Sequence, residues 1–184
     1  MNRIMVDLET LGTAPGSVIL SIGAVRFDVE KGLLDEFYVN IDVESSQRLG
    51  LTIDGATVMW WLKQSDAARA KLSEGSGKDV GVAMGEFLAW ANKDAPVDEL
   101  WGNGADFDNV LLATVGRKLS EDPRYSGAWK EVRPSLYRQN RCYRTLKNLS
   151  KIPFTKPVVA HDALEDAKAQ AVHLIEILKE LHLE

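Results

Sequence analysis

"IMVDLETLG", residues 4–12, is an apolar run with the alternation of a strand, yet it carries two carboxylates, Asp7 and Glu9, toward its end. Successive side chains point to opposite faces of a strand, so these two acids share a face and lie within about 7 Å of each other. Their repulsion in a half-buried site raises at least one pKa unless a cation sits between them. A divalent metal would supply that cation. An edge strand with two solvated acids is the plainer alternative, because Asp-x-Glu is a common tripeptide. The rest of the chain has to decide between them.

The segments that follow are also extended. "SVILSIGAVRFD" (17–28) is rich in β-branched residues, with small ones at Ser21, Gly23 and Ala24, and "VEKG" turns it into a third strand, "LLDEFYVNID" (33–42). The domain therefore opens as an antiparallel meander. A short helix over 52–65, started by Thr52 or Asp54, precedes an alanine-rich helix over 65–74 and an amphipathic helix over 76–93. "DELWG" (98–102) reads as a short apolar strand and leads directly into a helix from about Phe107 to Leu119. Within "RCYRTLKNLSK" (141–151), Cys142, Leu146 and Leu149 have helical spacing. The last helix, Asp162 to about Leu181, buries a stripe of Ala163, Ala167, Ala171, Leu174, Leu178 and Leu181. Strands first, then a strand alternating with helices, predict an α/β layer fold. With no repeat and no linker, 1–184 is expected to form one domain.

A chain of 184 residues, 45% apolar and 27% charged, has the composition of a folded globular protein. No apolar run approaches the roughly 20 residues of a membrane span, and the N-terminus lacks signal-peptide character, so no membrane partner and a cytoplasmic location are expected. The single cysteine, Cys142, reads as a packing residue. A net charge of −5 argues against a polyanion partner, but the average conceals a local excess. Between Arg117 and Lys156 there are eleven basic residues against three acidic ones, a local +8. Such a block is either a solvated face or a surface for phosphates.

A third acid stands in "WGNGADFDNVLL" (101–112), where a strand ends at a glycine-rich turn and a helix begins. An acid in that first turn sits over the carboxyl edge of the sheet, where α/β folds build their sites. Asp106 and Asp108 both qualify, and Asp108 is the better ligand candidate, although either can be no more than a helix cap. The fourth acid, Asp166, lies in "AHDALEDAKAQA" (160–171) among Ala163, Ala167 and Ala169, a small-residue face suited to packing close to the sheet. His161 precedes this helix and can reach the same cavity, whereas His173 and His182 read as ordinary surface or packing residues. Four carboxylates suit two Mg²⁺ ions, which take hard oxygen ligands, and two ions about 3.5–4 Å apart stabilise both the attacking and the leaving oxygen in phosphodiester cleavage. A neutral imidazole can then accept the proton of the attacking water.

Together these motifs resemble the DEDDh 3′–5′ exonucleases, members of the DnaQ-like superfamily on an RNase H-like fold. "DLET" (Asp7, Glu9, Thr10) matches the first motif, "FD" (Asp108) the second, and "HDALEDA" (His161, Asp166) the third. Through "WGNGADFDN" and "TVMWWLKQS" the similarity is closest to the phage-type exodeoxyribonuclease VIII-like and exoribonuclease-like branch. Asn103 and Gly104 stand where many relatives have His and Asn, a departure that concerns how this strand end meets substrate.

The resemblance implies a three-layer fold with a central mixed five-stranded sheet, strands 1–3 antiparallel, flanked by helices. It implies hydrolysis from a 3′ end to nucleoside 5′-monophosphates, with Asp7, Glu9, Asp108 and Asp166 holding two Mg²⁺ or Mn²⁺ and His161 as general base. The implied partner is single-stranded DNA or RNA with a free 3′ end. DNA is slightly favoured, although no motif encodes recognition of a 2′-hydroxyl. A homodimer is compatible with the resemblance. Thr10 and Leu11 are the implied contacts of the terminal nucleotide, joined by Asn103 and Phe107 at the second motif and by Arg144, with Lys147, on the phosphate backbone. Trp60 and Trp61 are about 100° apart on a helix, so they cannot both point the same way: one packs in the core, and the other either stacks on a base or is a second core-edge residue; Trp61 is carried as the candidate contact, with the choice between the two left open. Two rival functions remain. A catalytically idle nucleic-acid-binding module would be expected to lack one of the five site residues, and all five are present. A phosphatase acting on mononucleotides would leave the basic stretch without a purpose.

Overall fold

Strand β1 (Arg3–Thr10) pairs antiparallel with β2 (Ile19–Asp28), which pairs antiparallel with β3 (Gly32–Asn40). On its other side β1 runs parallel to β4 (Glu99–Gly102), and β4 runs parallel to β5 (Asn140–Cys142). The sheet order β3-β2-β1-β4-β5 is the mixed five-stranded arrangement expected, with β1 at its centre. This is a computed structural model that describes residues 1–73, 77–104, 106–125, 129, 138–157 and 161–183. Of the basic stretch, Lys130 and Arg133 lie outside the described residues.

Helices cover both faces of the sheet. Ile4, Val6 and Leu8 of β1 pack on one face against α4 (Val80–Ala91) and α5 (Asp108–Glu121), through Met84, Phe87, Leu111 and Val115. Met5 points the other way, joining Phe27, Trp101 and the stripe Ala167, Ala171, Leu174 and Leu178 of the last helix, α7 (Ala163–Glu180). Between β3 and α4 lie α1 (Val43–Arg48), α2 (Gly55–Trp61) and α3 (Asp66–Ser73), and α6 (Tyr143–Leu149) follows β5. No helix among the described residues is long and apolar enough to cross a membrane.

Several local expectations differ from the structure; Leu181, expected in the buried stripe of the last helix, is 49% exposed at its C-terminal cap. The helix expected over 141–151 begins only at Tyr143, because Asn140, Arg141 and Cys142 pair with Leu100, Trp101 and Gly102 as an edge strand. Pairing across the sheet there outweighs the helical spacing of the local sequence. The chain after β3 is not simply a polar connection. Asp42, expected inside the strand, accepts a hydrogen bond from the Ser45 N–H at 2.7 Å and caps α1.

Two glycines set how closely the helices approach. A Cβ on Gly23, the partner of Asp7 in the β1/β2 ladder, would lie 2.1 Å from the backbone of Ala163. The N-terminus of α7 therefore rests directly on the strand backbone. A Cβ on Gly102 would lie 2.3 Å from Asn109 Oδ1 and 3.1 Å from Asp108, so the first turn of α5 closes over the end of β4 in the same way.

Candidate active site

Asp7 and Glu9 leave β1 on the face that α7 covers. Both carboxyl groups are pushed up from their ordinary range. Burial is the largest cause for Asp7, followed by the negative charges of Asp108 and Glu9; for Glu9, burial and then Asp166 and Asp108 push the value to about 8. Glu9 is only 7% exposed, so water does little to offset that repulsion.

Asp166 comes from the first turn of α7, which Asp162 caps by accepting hydrogen bonds from the Leu164 and Glu165 N–H groups. His161, just ahead of this cap, has a left-handed backbone (φ 65°), an unfavourable conformation for a residue with a Cβ. Its N–H donates to Asp166 Oδ2 at 2.8 Å, which ties the turn to the carboxylate it serves. Ligand atoms of Glu9, His161 and Asp166 all lie within 4.8 Å of one another. Burial raises the Asp166 pKa, while the His161 N–H pulls it down.

Asp108, the first residue of α5, approaches from the end of β4 and is 2% exposed. Burial pushes its carboxyl to about 7, against hydrogen bonds from the backbone N–H groups of Asn103, Asp108 itself and Leu8, and against the positive charge of Arg144. The Asn103 N–H donates at 3.0 Å, so Asn103 serves the acid through its backbone. Four acids from β1, α5 and α7 thus converge at one end of the sheet. A set of hard oxygen donors with one imidazole, each acid raising the cost of ionising another, fits a divalent cation of the Mg²⁺ or Mn²⁺ type. Glu9, His161 and Asp166 are the groups whose ligand atoms lie close enough to share one ion, with Asp7 and Asp108 as neighbouring buried carboxylates.

Beside Glu9 a cavity of about 500 Å³ is lined by Leu8, Thr10, Thr57, Trp60, Trp61 and Phe107, among others. Thr10 and Phe107 stand in its wall. Leu11 does not; it packs against the core around Leu20, Trp61 and Ala68. Both tryptophans line the cavity, and burial distinguishes them. Trp61 is 5% exposed and donates its Nε1–H to the Thr10 carbonyl at 2.8 Å, so it is the anchor. Trp60, 42% exposed, is the ring available to a ligand, and it stands edge-on to His161 with centroids 4.8 Å apart. The Arg144 guanidinium lies beside Gly104, at the turn leading to Asp108. Lys147 places its amine 4.3 Å from the Phe154 ring centroid rather than toward the acids.

One residue escapes the sequence reading. Gln170, 4% exposed, donates its Nε2–H to Asp7 Oδ1 at 2.8 Å. Its signal was its place on the alanine face, one helical turn beyond Asp166. Of the surface and packing readings of His173, packing is the one observed. It is 3% exposed, accepts from the Tyr143 hydroxyl at Nδ1 (2.7 Å) and donates from Nε2 to the Ile152 carbonyl (2.9 Å), bracing α6 and the following loop on α7.

A mixed β3-β2-β1-β4-β5 sheet flanked by helices is the fold of the RNase H-like exonucleases. Residues 2–178 match the 3′-5′ exoribonuclease Rv2179c-like domain family, and the chain belongs to that family of 3′–5′ exonucleases. The exodeoxyribonuclease of enterobacteria phage T4 is 22% identical over 196 residues, covering 90% of this chain and 84% of that protein. Among solved structures, E. coli exonuclease I in complex with a dT13 oligonucleotide matches with a TM-score of 0.63 at 15% identity, over 98% of this chain and 42% of that one. S. pombe Pop2p in its Mg²⁺ and Mn²⁺ bound form matches with a TM-score of 0.57 at 14% identity, over 98% and 84%. At these identities the two structures are similar to this chain in fold, and the chain spans less than half of exonuclease I.

Proposed function

We propose that the chain degrades single-stranded nucleic acid from its 3′ end, releasing nucleoside 5′-monophosphates, with two Mg²⁺ or Mn²⁺ held by Asp7, Glu9, Asp108 and Asp166. The observation that carries the reading is the convergence of Glu9, His161 and Asp166 ligand atoms within 4.8 Å, beside two further buried carboxylates that resist ionisation next to them. When bound, the ions supply charge stabilisation for the attacking and leaving oxygens.

The protein's own groups do the rest. His161, held by its backbone bond to Asp166 and by the edge contact with Trp60, takes a proton from the attacking water at a ring nitrogen. Trp60 and Phe107 offer aromatic surface to the terminal base in the cavity next to Glu9. Arg144, exposed beside Gly104, meets the phosphate backbone that leads into the acids.

The relatives divide on the sugar: the family is that of an exoribonuclease-like domain, whereas the phage protein is an exodeoxyribonuclease. A degradation time course on 3′-labelled single-stranded DNA, duplex DNA and RNA, with Mg²⁺ or Mn²⁺, decides it. On the preferred substrate His161→Ala is expected to lower the rate about 10²–10⁴-fold, and Asp166→Ala to leave no measurable release. Intact activity in both variants would overturn the mechanism.

A further inference from the structure

Two of the other acids of the site receive backbone donors: Asp108 from Asn103, Leu8 and itself, and Asp166 from His161. Asp7 lies within a strand and pairs with Gly23, and its 2.8 Å hydrogen bond comes from the side chain of Gln170, on another element. Gln170 is 4% exposed, and its Oε1 is buried with no hydrogen-bond partner among the described residues. A buried acceptor left unpaired costs stability, and a leucine of similar volume would avoid that cost.

We propose that Gln170 is a positioning residue for the metal site: its amide fixes the rotation of the Asp7 carboxylate, occupying Oδ1 from one side and presenting the group to a divalent cation. Because Gln170 lies one turn beyond Asp166 on α7, the same bond also holds the strand ligand at a set distance from the helix ligand. Partners one layer behind metal ligands act in this way, and their loss typically weakens metal binding by about 10–100-fold. The inference rests on the proposed metal site.

The test is Mn²⁺ titration calorimetry on the full metal-free chain. Gln170→Leu is expected to bind Mn²⁺ about 10- to 100-fold more weakly. Gln170→Asn, one methylene too short to reach Oδ1, is expected to follow it, and decides the matter if the leucine variant does not fold. In an Asp7→Asn background the Gln170→Leu change is expected to cause no further loss, because the residue acts through Asp7. Wild-type affinity in the variants, with or without a lowered metal-free melting temperature, overturns the proposal, since that is the outcome of a purely structural role. A full additional loss in the Asp7→Asn background overturns it as well. Failure of the wild-type chain itself to bind Mn²⁺ overturns the metal reading of the site, a result distinguishable from the others.

Discussion

The two faces of β1 are built from alternate residues of one eight-residue strand and meet opposite fates. On one, Ile4, Val6 and Leu8 close against α4 and α5 and contribute hydrophobic stabilisation. On the other, Met5 is followed by Asp7 and Glu9, which α7 covers at a cost, because burial and neighbouring charge both oppose ionisation. The apolar face stabilises the fold by itself, whereas the acidic face is unfavourable in its ionised form unless a positive charge offsets it. Stability and function are thus separated by the pleat of a single strand, and each face can be altered with little direct effect on the other.

The sharpest way to break that separation is Gly23→Ala. The added methyl would collide with the Ala163 backbone and lift the start of α7, displacing Asp166 and His161 without touching either. Misplacement of about 1 Å costs on the order of 10²-fold in rate, so activity on a labelled oligonucleotide is expected to fall at least that far, with stability reduced too. Ile4→Ala tests the apolar face alone. It should cost about 2–5 kcal/mol in denaturant unfolding while the rate per folded molecule is retained; an equal loss of activity would show that the faces are not independent.

The acidic face predicts a pH dependence of opposite sense to the usual carboxylate case. Asp108 and Glu9 have folded values of about 7 and about 8, above those of the unfolded chain. Their contribution is therefore complete below the ordinary carboxylate range and is lost as the pH rises from there through about 8. In metal-free protein this part of the stability falls across that window, and Glu9→Gln should flatten the fall in a series of thermal melts. Mg²⁺ at 100 times its dissociation constant should restore about 2.7 kcal/mol per site. A melting temperature indifferent to Mg²⁺ at pH 8 would count against a cation between Asp7 and Glu9. The smallest expected effect is that of Trp60→Ala, about 1–3 kcal/mol of substrate affinity, read as a raised KM. Trp61→Ala should instead lower stability, because it removes the bond to the Thr10 carbonyl.

Much of this was legible in residue order. The meander, the strand at 98–102 and the closing helix follow from periodicity and turn chemistry, which act over a few residues. The edge strand at 140–142 was not legible, because three residues ahead of a helix become a strand only when β4 lies beside them. Asp7, Glu9, Asp108, Asp166 and His161 could be picked out from type, spacing and resemblance. The choice between Trp60 and Trp61 could not, since adjacent helical residues point different ways and only packing says which way the core lies.

The sequence by itself determined that this chain is an α/β domain with two acids on one strand face and two more at helix starts, because alternation, caps and small-residue faces are local properties. Only the tertiary structure decided that the four acids meet. Gly23 and Gly102 let two helices descend onto the sheet, Trp60 rather than Trp61 is left exposed, and Gln170 reaches Asp7 across 163 residues of chain. Those outcomes depend on close approach between segments distant in sequence, where backbone contact and burial set the geometry.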